Sequence, residues 1–385
     1  MALAAVSLIG PLAIHLYLPV VPAIQQAFAV APWLAELSFS ITLATMAVAT
    51  LVYGTLSDRL GRRPVLLWGL GLFLGGSVLS AAAGSIGVLI AARLVQAVGA
   101  GCSLTITRAM ARDAYGPERL VQAIAYLTMA YTLGPMLAPP LGGFLTDHLG
   151  WRAVFWFAVM AGGAITVAAA LVLGETRRGS GASGRSLWRD YRALFADPRF
   201  SAFVLQSGFC SGTFFALAAA SPFLMQDALH RSATEYGFWF FAFPAGYCIG
   251  NLVSGRLAGR VAIERMVVTG SLINLGAVAA QAAIMLTGAL SALAIFVPGF
   301  FITFSQGIAL PNAQAGAMQT KPELAGTAAG IGVFCQTLAS GVFAELYGLF
   351  ADGTPVPMLE VAAFAAVITL VCGVVPLFRP ATQLP

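Results

Sequence analysis

Twelve apolar runs, each about as long as a membrane-spanning helix, alternate with short polar segments along the 385-residue sequence. A helix needs about 20 consecutive apolar residues to cross a bilayer. Only 9% of the residues are charged, against about 25% in a soluble domain, so a soluble fold is excluded. We predict an all-α membrane protein with twelve transmembrane helices, named spans 1 to 12, at roughly 3–28, 33–53, 64–83, 86–111, 120–146, 151–173, 200–226, 235–254, 266–287, 289–314, 325–349 and 358–378.

One long polar segment, ETRRGSGASGRSLWRDYRALFADPR, separates spans 6 and 7. It predicts a six-helix bundle over 1–174, a cytoplasmic linker over 175–199 and a second six-helix bundle over 200–385. The Gly/Ser-rich start is typical of a flexible linker, and the apolar spacing over 187–195 predicts a short amphipathic helix on the inner membrane surface. The string SGRLAGRV, at 254–261, repeats faintly a segment of the first half, which predicts pseudo-symmetric bundles.

The distribution of basic residues predicts the orientation in the membrane. With both termini in the cytoplasm, seventeen of the twenty Lys and Arg residues fall on the cytoplasmic side. Such an excess marks the inner face of a bacterial cytoplasmic membrane protein. Orientation therefore accounts for the basic character of the chain, and we expect no nucleic-acid partner. The five cysteines lie in apolar runs without metal-ligand spacing, and we expect neither a metal nor another cofactor.

The charged island GTLSDRLGRRP, from Gly54 to Pro64, is too polar for a bilayer and predicts a tight cytoplasmic loop between spans 2 and 3. It resembles the G-x-L-x-D-R-x-G-R-R loop signature of the major facilitator superfamily. The resemblance implies a cytoplasmic gate in which Asp58 faces the start of span 11, near 323–326, with Arg112 as a second partner. The gate residues implied are Gly54, Asp58, Arg59, Gly61, Arg62 and Arg112.

Span 4 carries an arginine inside the membrane. Arg93 is the one Lys or Arg well within a predicted span, and an intramembrane cation is costly unless it has a partner or faces a wet cavity. A functional site or a structural ion pair would both satisfy it, and the position favours function. The string ARLVQAVGAG resembles the helix 4 motif R-x-x-Q-G-x-G of the same superfamily, with Gln96 matching and Ala97 departing. In that family the arginine is implicated in proton coupling.

Span 5 contains LGPMLAPPLGG, which is rich in proline and glycine. Prolines inside a helix remove hydrogen bonds and predict a kink. The string resembles the antiporter signature G-P-x-x-x-P-x-x-G-G, which is typical of exporters. The matching residues are Gly134, Pro135, Pro139, Gly142 and Gly143.

Together with IHLYLPVVPAI in span 1, these strings resemble the bicyclomycin and chloramphenicol resistance (Bcr/CflA) branch of the drug:proton antiporters. The chain departs from that branch at His15, where its members usually carry an aspartate. His15 lies roughly mid-membrane and is either a proton carrier or hydrogen-bonded structure. Tyr17 follows it toward the predicted cavity. Glu36 is either a cavity acid or an interfacial residue in contact with water, and its place near the start of span 2 favours the interface.

The second half offers uncharged polar groups for a substrate cavity: Gln306 and Asn312 in span 10 and Gln336 in span 11. With nearby phenylalanines they suit an amphipathic ligand, and they equally suit plain helix packing. Glycine pairs at spacing four, at 71/75, 208/212, 246/250 and 326/330, predict helix-packing faces.

No catalytic motif or phosphate loop occurs, so we expect a transporter and not an enzyme. The sequence predicts a monomeric, proton-coupled exporter of small amphipathic compounds. A dedicated exporter or importer of one metabolite, such as a siderophore, is an alternative. A transport-inactive membrane receptor is another, against which the presence of Arg93 and the antiporter string argues.

Overall fold

The computed structural model describes residues 2–115, 117–177 and 187–378, and within these ranges all regular structure is helical. Ten helices are long and apolar enough to cross a membrane. They run over Ala2–Phe28, Pro32–Leu60, Arg62–Ala81, Ile86–Ala114, Trp151–Val172, Pro198–Ala228, Ile263–Leu286, Ala292–Thr320, Pro322–Phe350 and Val356–Leu377. These correspond to ten of the predicted spans.

The remaining two predicted spans are helical as well. Span 5 is one helix over Pro117–Leu149, which continues through its three internal prolines. Span 8 is broken into Ala233–Trp239 and Ala242–Leu257, with the break at Phe240 and Phe241. The prediction of an all-α membrane protein is confirmed.

The charged island is the first point at which the sequence prediction was wrong. It is not a loop, because span 2 stays helical to Leu60 and span 3 begins at Arg62. The whole turn is made by Gly61, whose backbone angles (φ 102°, ψ 151°) are accessible essentially to glycine alone. A β-carbon on Gly61 would also lie 2.6 Å from a carboxylate oxygen of Glu175.

The structure divides into two compact units. The first comprises Met1–Ser183 together with Met225–Phe240, and the second comprises Gly184–Leu224 and Phe241–Pro385. The segment Met225–Phe240, which the sequence placed in the second bundle, thus packs with the first six spans.

Some of the predicted glycine faces pack against neighbouring helices. In the second unit a β-carbon on Gly246 would clash with the Phe300 carbonyl, and one on Gly250 with the Phe304 carbonyl, so spans 8 and 10 meet backbone to backbone. Gly212 lies against the Phe343 ring in the same way. The prediction was wrong for the pairs at 71/75 and 326/330, where no atom lies within 4 Å of the built β-carbon.

A short helix over Leu187–Phe195 follows the linker, in the range that the sequence predicted. It packs on the second unit, where Leu194 is fully buried in a cluster with Phe200 and Phe203. Residues 178–186, which contain the predicted Gly/Ser linker, lie outside the described residues.

Candidate transport site

Arg93 lies in the middle of the first unit and is only 1% exposed. Its guanidinium donates hydrogen bonds to the carbonyl oxygens of Ala13 (2.9 Å) and Ser38 (3.3 Å) and to the side-chain oxygen of Gln96. These acceptors belong to spans 1, 2 and 4. The planar, five-donor guanidinium therefore holds three helices together.

Aromatic rings complete the enclosure of Arg93. The Tyr17 ring centre lies 4.2 Å from the guanidinium carbon, and the Phe155 ring centre lies 5.9 Å away. A cation stacked on a ring in a dry environment gains about 2 kcal/mol or more. The Tyr17 hydroxyl is in turn hydrogen-bonded to the Ser38 hydroxyl (2.6 Å).

Gln96 extends the network to span 3, because its amide nitrogen donates to the Ser77 hydroxyl (2.8 Å). Around Arg93 the packing leaves a cavity of only about 10 Å³, barely the space for one water. An intramembrane cation was expected either to have partners or to face a wet cavity. In the structure Arg93 has partners, and the space beside it is too small for a wet cavity.

His15 is buried, with 9% of its surface exposed, and lies edge-on to the Phe240 ring at 6.0 Å between centres. Its Nδ1 atom has no hydrogen-bond partner among the described residues. The structure does not join it to Arg93 by any hydrogen bond within the described part of the chain. A structural role for His15 through a hydrogen bond is therefore not supported at its Nδ1 atom.

Glu36 is fully buried, so the expectation of an interfacial residue in contact with water was wrong. It lies within one helical turn of Ser38, whose hydroxyl is hydrogen-bonded to Tyr17. The reason for the burial is that span 2 begins at Pro32 and turns the Glu36 face inward. Glu36 thus belongs to the same neighbourhood as the Arg93 network.

The polar groups predicted for the second half are satisfied inside the second unit. Gln306 donates to the Cys210 carbonyl (2.7 Å), and Asn312 donates to the Ser254 hydroxyl (2.8 Å). A further bond joins the side chains of Gln314 and Gln336 (2.9 Å). These contacts fit the alternative of plain helix packing.

At the junction of spans 2 and 3, Arg62 is the centre of a second charged network. It is 5% exposed and contacts Asp58 (2.6 Å), Asp113 (2.9 Å) and the Ser57 hydroxyl (2.7 Å). Sequence reasoning did not single out Asp113, although it directly follows Arg112, a residue of the predicted gate. The sequence predicted that Arg112 would be a partner of Asp58. Instead, the Arg112 side chain is 67% exposed and lies 3.8 Å from Asp113.

Glu175, just after span 6, was also missed. Its carboxylate accepts hydrogen bonds from the backbone N–H groups of Arg62 (3.0 Å) and Arg63 (3.1 Å), the first residues of span 3. Thr176 and Arg177 donate two more. Burial raises the pKa of Glu175, but the four N–H donors outweigh it and hold the pKa below its ordinary value. Nothing in the local sequence predicts a cap that is supplied from 113 residues away.

The antiporter string of span 5 forms a close-packing face. A β-carbon on Gly134 would clash with Pro11. A β-carbon on Gly142 would clash with the Leu16 carbonyl, and one on Gly143 with the Ala233 carbonyl. Span 5 thus packs against span 1 and against the first piece of span 8.

The contact with span 8 is strengthened by an acid and a second glycine. Asp147 accepts hydrogen bonds from the N–H groups of Ala233 (3.2 Å) and Thr234 (2.8 Å) and from the Thr234 hydroxyl (2.5 Å). Gly237 lies against Pro140, and a β-carbon on Gly237 would lie 2.5 Å from the Cα atom of Pro140. These contacts explain why Met225–Phe240 groups with the first unit.

Curated relatives resemble the chain over most of its length. Multidrug resistance protein D of Escherichia coli K12 is 29% identical over 345 residues, covering 88% of this chain and 85% of the relative. Multidrug resistance protein MdtL of E. coli O139:H28 is 28% identical over 318 residues, covering 81% of each. An uncharacterised transporter of Bacillus subtilis 168, YdgK, is 28% identical over 377 residues, covering 94% of this chain and 91% of the relative.

Solved transporters share the fold. A D-xylose–proton symporter aligns with a TM-score of 0.78 at 14% identity, covering 99% of this chain and 97% of its own. A bacterial homologue of the human lysosomal transporter Spinster, in an inward-facing conformation, aligns with a TM-score of 0.76 at 18% identity, covering 99% and 94%.

The sequence model of the Major Facilitator Superfamily matches residues 3–344, which include spans 1 to 10 and most of span 11. This match agrees with the all-helical fold of the described residues. The protein is therefore a membrane transporter and not an enzyme, and it belongs to the Major Facilitator Superfamily.

Proposed function

We propose that the protein exports small amphipathic compounds across the bacterial cytoplasmic membrane in exchange for protons, as a monomer with both termini in the cytoplasm. The observation that carries the proposal is the enclosure of Arg93 by five spans of one unit, because a buried cation of this cost is kept for a role. The multidrug resistance proteins among the relatives support export, and resemblance to the Bcr/CflA branch supports proton coupling. The charge asymmetry of the loops supports the orientation.

Transport into inverted vesicles tests the proposal directly. Inverted vesicles that contain the protein should accumulate fluorescent amphipathic drugs when a proton gradient, acidic inside, is imposed, and a protonophore should release them. Vesicles with no transporter are the control. Accumulation of a single metabolite without any drug would favour the dedicated exporter, and transport in the opposite direction would contradict export.

The proton is carried by His15 or Glu36, a buried imidazole of span 1 and a buried carboxyl group of span 2. If His15 is the carrier, His15→Ala should remove the dependence of transport on the proton gradient, while downhill movement of substrate persists. His15→Asp should restore coupling with a pH profile moved toward acid, because a carboxyl group titrates lower than an imidazole. The measurement is drug flux against external pH.

Glu36→Gln separates the two carriers, since it removes a proton site and preserves the shape of the side chain. If both His15 variants keep the wild-type pH profile and Glu36→Gln abolishes coupling, the carrier is Glu36. An unchanged profile in all three variants would refute both assignments.

The cytoplasmic gate is part of the same proposal. Its residues are Gly54, Asp58, Arg59, Gly61, Arg62 and Arg112, and it is supported by the tight ion-pair network around Arg62. Substrate contacts by Gln306, Asn312 and Gln336 are proposed on chemistry alone, since each hydrogen bond described above leaves part of the amide group able to turn toward a ligand.

A further inference from the structure

An apolar groove of about 560 Å³ runs along the surface of the first unit between spans 2, 3 and 4. Its walls include Val48 and Val52, each about half exposed, together with Leu56, Leu72 and Val98. The groove serves none of the networks around Arg93 or Arg62.

The groove has the length and direction of a lipid tail. Along span 2 it extends from Ala44 to Leu56, about 18 Å at 1.5 Å per residue. The hydrocarbon core of a bilayer is about 30 Å thick, so the groove covers more than one leaflet's depth and ends one turn before the Gly61 turn. An acyl chain that lay in it would place its head group at the inner end of the first unit.

That inner end is basic. Arg59 follows Leu56 on the same face of span 2, and Arg112 lies four turns below Val98 on span 4. Both arginines are exposed. Their guanidinium groups have the fork geometry that binds a phosphate oxygen pair.

The acids nearby do not cancel this charge. Asp58 and Asp113 are engaged by the buried Arg62, and Glu175 accepts the N–H groups at the start of span 3. Among the described residues at this end, six arginines face three acids, which leaves an excess of three positive charges. The arginines are Arg59, Arg62, Arg63, Arg108, Arg112 and Arg177, and the acids are Asp58, Asp113 and Glu175.

We propose that the groove between spans 2, 3 and 4 holds an acyl chain of an anionic phospholipid, whose phosphate lies against Arg59 and Arg112. Basic pockets on the cytoplasmic side of membrane helices bind anionic head groups. The apolar walls supply the tail site, and the exposed arginines, in excess over the nearby acids, select the charge of the head. This lipid site is independent of which compound the protein transports.

The test is lipid retention by the full-length protein in detergent. Phosphatidylglycerol and phosphatidylcholine with identical acyl chains are added separately, and bound lipid is counted by native mass spectrometry alongside the shift in unfolding temperature. With about fivefold selectivity expected for each arginine near a head group, phosphatidylglycerol should bind at least tenfold more tightly than phosphatidylcholine. High salt should reduce the difference.

Two kinds of variant separate the head-group contact from the tail contact. Arg59→Gln combined with Arg112→Gln should remove the preference for phosphatidylglycerol, whereas Arg260→Gln, an exposed arginine of the second unit, should keep it. Val52→Trp and Val48→Trp should fill the groove and reduce retention of both lipids. Val167→Trp, at an exposed position of span 6 outside the groove, is the matched control.

Three results would overturn the proposal. Equal binding of the two lipids to the wild-type protein would remove the anionic preference. Unchanged retention in both groove-filling variants would show that no tail lies there. Displacement of phosphatidylglycerol by a transported drug, with the drug itself found in the groove, would assign the surface to the substrate path.

Discussion

Replacing Arg93 with alanine is expected to reduce proton-driven export to the background of empty vesicles. The substitution removes the cation proposed for proton coupling. It also leaves the buried side-chain oxygen of Gln96 without the Arg93 donor and removes the links to the Ala13 and Ser38 carbonyls. A buried acceptor left without a donor costs about 1 to 3 kcal/mol, so the variant should also be less stable in detergent.

Arg93→Lys separates charge from geometry. Lysine keeps the positive charge but cannot reach three acceptors with one planar group or stack flat on Tyr17. We expect transport to be strongly reduced in this variant even though the protein inserts and purifies normally. Flux in inverted vesicles and elution from a sizing column measure the two properties. Wild-type flux in Arg93→Ala would refute the role of Arg93.

Replacing Gly61 with alanine is expected to destabilise the first unit. Its backbone lies in a region that costs other residues about 1 to 3 kcal/mol. The new methyl group would also displace the Glu175 carboxylate from the start of span 3, because the built β-carbon lies 2.6 Å from Oε2. Thermal unfolding in detergent, followed by tryptophan fluorescence, should show a clear drop in the midpoint.

Gly71→Ala is the matched control for Gly61→Ala. Gly71 lies in the helix Arg62–Ala81, which begins directly after Gly61, and no atom lies within 4 Å of its built β-carbon. Alanine there should be neutral or stabilise the helix by up to about 1 kcal/mol. Equal midpoints for the two variants would contradict the turn geometry.

The sequence predicted the class of the protein well. Twelve apolar runs matched twelve helical segments, because an apolar run of this length has no alternative to a helix in a bilayer. It also identified Arg93, because a charge within a span stands out against an apolar background. The amphipathic helix Leu187–Phe195 was predicted for the same reason, from the local spacing of its apolar residues.

Partners that are distant in sequence could not be predicted. The turn at Gly61 was missed because the cap on span 3 comes from Glu175, and the ion pair of Arg62 with Asp113 was missed because Asp113 lies on span 4. The burial of Glu36 likewise depends on which face of span 2 meets its neighbours.

By itself the sequence determined the membrane class, the number of spans and the position of the intramembrane arginine, since each follows from the local cost of placing polar groups in hydrocarbon. Only the tertiary structure decided which glycines are packing surfaces. Gly246 and Gly250 meet a neighbouring backbone, whereas Gly71 and Gly75, at the same spacing, meet nothing. Spacing places two residues on one face of a helix, but the rotation of that helix in the bundle decides what the face contacts.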